Sequence, residues 1–199
     1  MVTRMSLPPA FTTDWFSGPA TTGEGAWAVH VLPLLVSLQA VHWLEIGSWE
    51  GRSALWTAKA ILAGPDSSVV CVDPWPAGWS EKAEMLFDQN TREDPRIVKM
   101  RGSSRQALPL LRSGSFHGCY IDGLHDKQTV LFDAHEAARL IKPGGIIIFD
   151  DYKNDLSADK SDGWGVMEAC DEFVAEMSDK LETLFKGWQL ITRLKGQLA

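Results

Sequence analysis

Short apolar runs that stop at glycine or acidic residues alternate along this chain with stretches of helical spacing. Val41–Ile46 stops at Gly47, Val69–Val72 at Asp73, and His117–Ile121 at Asp122, while Ile146–Phe149 stops at Asp150 and Asp151. With Ile97–Met100 these make five predicted strands. Helices are predicted over Ser53–Leu62, Glu81–Thr91, Arg105–Leu111 (despite Pro109), Lys127–Leu140 and Val166–Leu181. Another spans Gly25–Gln39, kinked by Pro33 or starting near it. Lys142-Pro143-Gly144-Gly145 reads as a turn into the fifth strand, and 154–164 as a polar loop able to act as a lid. The last two strand-like pieces, Thr183–Phe185 and Trp188–Arg193, are separated by Lys186-Gly187 and suit an antiparallel hairpin at a sheet edge.

Apolar strands without polar alternation fit a sheet covered on both faces, and strand–helix alternation fits a doubly wound α/β sandwich. The expected fold is therefore a Rossmann-like, mostly parallel seven-stranded sheet with an antiparallel C-terminal strand. Residues 1–24 read as an irregular lead-in and 25–199 as a single domain.

Composition narrows the partners. A formal net charge of −7 disfavours nucleic acid, which needs a basic face. Cys71, Cys119 and Cys170 lack metal-type spacing and read as reduced core residues of an intracellular protein. No apolar run approaches the roughly 18 residues of a membrane span, and the N-terminus has no signal-like apolar core. A cytoplasmic protein with no membrane partner is expected, as a possible homo-oligomer through Trp15 or Trp27, which could equally cover a pocket.

Residues just past the carboxyl ends of parallel strands line the ligand crevice of such a sheet. Asp122, His125, Asp150 and Asp151 should therefore converge as a candidate metal-and-base site. The first strand–helix turn, LEIGSWEGRS, is neither the dinucleotide fingerprint, since Trp49 stands where the second glycine would be, nor a phosphate-binding P-loop. A ligand without phosphate fits better, with Gly47 making the tight turn and Gly51 letting the helix start lie close. Asp73, at the next strand end, is placed to accept from both ribose hydroxyls of a nucleoside; its alternative is a capping or loop role.

Blander readings stand beside these. Asp150-Asp151 could cap a loop, and Asp122 with His125 could be a structural hydrogen bond. His30, His42, His117 and His135 read as structural, and Glu50, Asp126 and Asp133 as solvated faces. Lys153 ranks below His125 as a base. Trp43 and Trp56 read as core, whereas Trp49, Trp75, Trp79 and Trp164 fall in loops near the crevice and either line a pocket or cap a core edge.

LEIGSWEGRSALW, VVCVDPW, GSSRQALPLL, YIDGLHD and LIKPGGIIIFDDY occur in the order of the motifs of class I S-adenosylmethionine-dependent methyltransferases, which the chain resembles over residues 40–195. It is most similar to small-molecule O-methyltransferases of the catechol and macrolide-sugar kind, the latter through Asp122-Gly-Leu-His125. The resemblance implies S-adenosylmethionine as cofactor, held by Glu45, Gly47, Ser48, Gly51, Ser53, Asp73, Trp75, Gly102, Ser103 and Asp122. Within that set the ribose would meet Asp73, and the adenine Trp75, Gly102 and Ser103. It further implies a divalent cation such as Mg²⁺ on Asp122, Asp150 and Asp151, with Asp122 and His125 catalytic and His125 the base. Asp151 departs from the Asn usual in catechol-type enzymes and favours the sugar-type comparison. The expected activity is metal-assisted O-methylation of a hydroxylated small molecule, a sugar or polyphenol. A metal-independent methyltransferase and a non-catalytic cofactor-binding protein of the same fold are the alternatives.

Overall fold

Apolar runs that looked separate in sequence lie side by side in space. The computed structural model describes residues 8–12, 16, 23–78, 80–153 and 164–198; Trp15, Trp79 and nearly all of the expected lid loop lie outside them. Seven strands among the described residues make one sheet: β1 (His42–Ile46), β2 (Ser68–Asp73), β3 (Ile97–Arg101), β4 (Phe116–Ile121), β5 (Ile141–Phe149), β6 (Leu181–Lys186) and β7 (Leu190–Leu194). Their order is β3-β2-β1-β4-β5-β7-β6. β1 pairs in parallel with both β2 and β4, so the chain direction across the sheet reverses at β1/β4. Only β7 is antiparallel, to β5 and to β6, because the short turn after β6 can join only antiparallel neighbours.

Long crossovers between the parallel strands are helical. α1 (Gly23–His30) and α2 (Leu32–Leu35) precede the sheet, and α3 (Arg52–Ala60), α4 (Glu81–Thr91), α5 (Ser104–Ala107), α6 (Lys127–Leu140) and α7 (Val166–Glu176) follow in turn. The period-2 alternation of strand side chains splits the core in two. Leu44, Ile46, Cys119, Ile121, Ile147 and Phe149 face α6 and α7. Trp43, Cys71, Tyr120, Ile146 and Ile148 face α1, α3 and α4, together with Trp27 and Phe87. The Trp43 ring lies over Gly118, where a Cβ would come within 2.2 Å of it. All three cysteines are buried.

Four boundaries differ from expectation. The Gly25–Gln39 helix is two short helices, with Pro33 in the first turn of the second, where its missing N–H is harmless. The Arg105–Leu111 helix is α5 plus a 3-10 turn at Leu108–Leu110. Lys142–Gly145 is not a turn but part of β5, taken up by a register shift opposite Phe116 and Gly118. α7 stops at Glu176, and Leu181 already belongs to β6.

Strand register sets the height of the site. Ile46 is level with Val72 and Ile121, and Ile121 with Phe149, so Gly47, Asp73, Asp122 and Asp150 leave the sheet together beside the reversal.

Candidate active site

β1 runs directly into Gly47, at φ +83°. A Cβ there would fall 1.9 Å from the Asp122 carbonyl oxygen, so glycine is required for the ends of β1 and β4 to approach this closely. Trp49 follows with φ +46°, a strained conformation for a bulky residue. Asp73 holds the turn in place. Its Oδ2 accepts from the backbone N–H groups of Ser48 (2.9 Å) and Trp49 (3.0 Å), and its Oδ1 from that of Trp75 (2.8 Å). A carboxylate offers about four lone-pair sites, so one remains for a ligand. Asp73 thus has the loop role weighed as its alternative, with one acceptor position left over.

Beneath the turn Glu45 is fully buried. Burial pushes its carboxyl up to about 8, with Ser48 and Ser53 opposing and Asp73 adding to the rise. Trp75 is also fully buried; its indole N–H donates to the Trp49 carbonyl (2.9 Å), and its ring packs on Phe87. It supports the turn from below.

The acidic cluster forms across the reversal. His125 Nε2 lies 3.3 Å from Asp151 Oδ2 and 3.9 Å from Asp122 Oδ1, and the imidazole stacks on Trp164 at 4.1 Å. Burial disfavours the imidazolium, but Asp122 and Asp151 outweigh it and raise His125 to about 9. Asp122 is itself pushed well above the carboxylate range by burial and by Asp150, against the pull of His125. Asp150 is tied to Gln189. Gln189 Nε2 donates to Asp150 Oδ1 (2.8 Å), while Gln189 Oε1 accepts from the Trp27 indole (2.9 Å). The buried Tyr120 hydroxyl donates to Asp122 Oδ2 at 3.3 Å.

Asp122, His125 and Asp151 each offer a ligand atom within 4.8 Å of the others. Two carboxylates and an imidazole converging in this way suit a small divalent cation. Among the described residues the ion-compatible trio therefore contains His125, where the sequence reading placed Asp150.

One cleft of about 640 Å³ joins both halves. Gly47, Asp73, Ser103, Asp122, His125, Asp150 and Asp151 line it. Of the other expected cofactor residues, Glu45, Ser48, Gly51, Ser53 and Trp75 form the support behind the wall, and Gly102 ties β3 to β2 by donating to the Asp73 carbonyl (3.0 Å). Phe16, from the lead-in, lines the cleft and packs edge-on against Trp27 at 5.5 Å; Trp49, Trp188 and Gln189 add to the same wall.

Three residues read as solvated faces are not. Glu50 is buried and accepts from the Thr12 backbone and hydroxyl. Asp126 caps α6 by accepting from Thr129 N (3.0 Å). Asp133 is 1% exposed and lines the cleft. Burial raises its carboxyl to about 7, Ser104 and Arg105 opposing. Its signal was available in sequence, because it falls inside the apolar stripe of Val130, Ala134 and Ala137. Trp27, weighed as a dimer face or pocket cover, is fully buried.

Residues 44–152 match the family described as Methyltransferase domain. No curated protein is significantly similar to the chain in sequence. Similar solved structures include an O-methyltransferase from Bacillus cereus in complex with SAH, at 22% identity and TM-score 0.62, covering 82% of this chain and 79% of that one. The O-methyltransferase TomG from Streptomyces achromogenes, solved with SAM, gives 18% identity and TM-score 0.66 over 89% and 82%. Cofactor-bound Rv0187 from MTB gives 21% and 0.65 over 88% and 82%. No described helix is long and apolar enough to cross a membrane.

Proposed function

This chain belongs to the methyltransferase-domain family, whose match spans more than half its length, and from that premise we propose that it moves a methyl group from S-adenosylmethionine to the oxygen of a hydroxylated small molecule. The observation that carries the reading is the single cleft in which the Gly47–Asp73 turn and the Asp122–His125–Asp151 cluster share one wall. Two ligands can meet there: a nucleoside-bearing donor over Asp73 and Ser103, and an acceptor over the acidic cluster.

Methyl transfer to oxygen is a displacement at the sulfonium methyl, in which the acceptor oxygen loses its proton and the sulfur leaves as a neutral thioether. Gly47 lets the donor approach the backbone of the turn. Asp73 offers its remaining lone pair to the ribose. Phe16, Trp49 and Trp188 present an apolar wall that aligns the acceptor and excludes water. Asp122 and Asp151, with a reoriented Asp150, would hold a divalent ion that would lower the pKa of a bound acceptor hydroxyl and, by taking up the carboxylate charge, leave His125 outside the ligand set and closer to its ordinary range. Once neutral, His125 can take the proton at Nε2, a contribution of about 10²–10⁴-fold.

One observation favours a second reading, transfer without a metal. His125, held as imidazolium by Asp122 and Asp151, already supplies a cation to the cluster. In that state it donates a hydrogen bond to the acceptor oxygen, and a carboxylate takes the proton. A methyl-labelled S-adenosylmethionine assay on sugars and polyphenols separates the two. Activity abolished by chelator and restored by Mg²⁺ or Mn²⁺ is expected; full activity in chelator replaces the first reading with the second.

A further inference from the structure

β5 and β7 run antiparallel with Phe149 opposite Leu190, so the residue after Phe149 and the residue before Leu190 also meet. These are Asp150 and Gln189, both buried at the wall of the cleft. Gln189 Nε2 donates to Asp150 Oδ1 at 2.8 Å, and Gln189 Oε1 accepts from the Trp27 indole at 2.9 Å. An indole nitrogen can only donate, so Trp27 fixes the amide: its oxygen must face α1 and its NH2 must face Asp150. Trp27 is held in turn, fully buried among the rings of Phe16, Trp43, Trp56 and Tyr120.

The other donors to Asp150 bind it less exclusively. The Tyr120 hydroxyl has one proton to share between Asp150 and Asp122, whose Oδ2 is 3.3 Å away, and the Asp151 backbone N–H is the neighbour in the chain. With the Gln189 bond made, the described residues within reach of one cation are Asp122, His125 and Asp151, and Asp150 stands outside them. A hydrogen bond that exists without the ion and is lost with it lowers the affinity for the ion by its own free energy.

We propose that Gln189, oriented by Trp27, is a positioning residue that latches Asp150 out of the cation site, so that a divalent ion must break the Gln189–Asp150 bond to gain its third carboxylate. With the latch closed, His125 completes the trio; with it open, Asp150 takes that place and His125 is left for the acceptor's proton. The inference rests on the metal-assisted reading under Proposed function.

Titration of the full chain with Mn²⁺, followed by electron paramagnetic resonance of the free ion, tests the latch without turnover. Gln189→Met keeps the length of the side chain and removes the donor, and should tighten Mn²⁺ binding by about 10-fold or more, as expected for a hydrogen bond to a charged group. In an Asp150→Ala background the same substitution should change nothing, because the latch acts only through Asp150. If circular dichroism shows that Gln189→Met does not fold, Gln189→Asn, too short to span from Trp27 to Asp150, carries the same expectation. Unchanged binding overturns the proposal, and so does an effect that persists without Asp150. Weaker binding overturns it too, since that is the mark of a residue that orients a ligand already in place. Failure of both wild type and variant to bind Mn²⁺ removes the metal-assisted reading itself, and this inference with it.

Discussion

Replacing Asp133 by asparagine should make the ligand-free protein more stable at pH 8 and leave its stability near that of the wild type at pH 4. Burial holds this carboxyl at about 7, against 3.8 for a free Asp. Below the lower value both folded and unfolded chains carry the proton, and no penalty arises. Between the two values the folded chain keeps a proton that the unfolded chain has lost, so stability falls as pH rises. Above about 7 the full penalty is present, about 4 kcal/mol at roughly 1.4 kcal/mol per pH unit. Water drawn in through the cleft screens part of it, which leaves about 2–4 kcal/mol, or roughly 5–15 °C in Tm for a chain of this size. Urea denaturation of both proteins at half-unit steps from pH 4 to 8.5 gives the difference directly, and contributions from Glu45 and other buried acids cancel in it. A flat difference, or a variant less stable than wild type at pH 8, would refute the reasoning, because it would mean that the carboxylate is already well paired.

The turn and the acidic cluster carry two further expectations. Gly47→Ala should destabilise by about 3 kcal/mol or more, because the new methyl meets the Asp122 backbone at a positive φ; thermal denaturation within 1–2 °C of wild type would contradict that geometry. In ligand-free, metal-free protein the His125 imidazole should titrate near 9 by NMR, and Asp151→Asn should bring it down. A midpoint near 6.5 in the wild type would mean that the cluster does not form as described. Saturating Mg²⁺ should also lower the midpoint, and no response to it would rule out an ion at this cluster.

Much of the fold was legible because its strands are uninterrupted apolar runs that end at Gly47, Asp73, Asp122 and Asp150. The chain order that places β4 beside β1 then brings those ends together. Element ends were less legible where local and tertiary signals compete. Pro143 and two glycines look like a turn, yet a register shift lets β5 carry them. The apolar spacing of Met177 and Leu181 continues the helical pattern past Glu176, and only pairing with Leu194 assigns Leu181 to a strand. Within the site, the acidic residues announced themselves by position, but their division of labour did not. Gln189, 39 residues from Asp150, turns that carboxylate aside and leaves His125 as the third member of the trio. Trp49 and Trp75 both fall in loops after strand ends, and only packing separates them: Trp49 lines the cleft while Trp75 is fully buried. Asp133 was passed over because a charged helix residue ordinarily faces solvent, although the helical period already placed it in the buried stripe.

A nucleoside-sulfonium donor seated on the Gly47–Asp73 turn is the central claim. Titration of the purified chain with S-adenosylhomocysteine tests it most directly. One molecule should bind per chain, and Asp73→Ala should weaken binding by at least about 10-fold, because it removes both the ribose acceptor and the anchor of three turn N–H groups. No detectable binding by the wild type, or equal affinity in the variant, would contradict it.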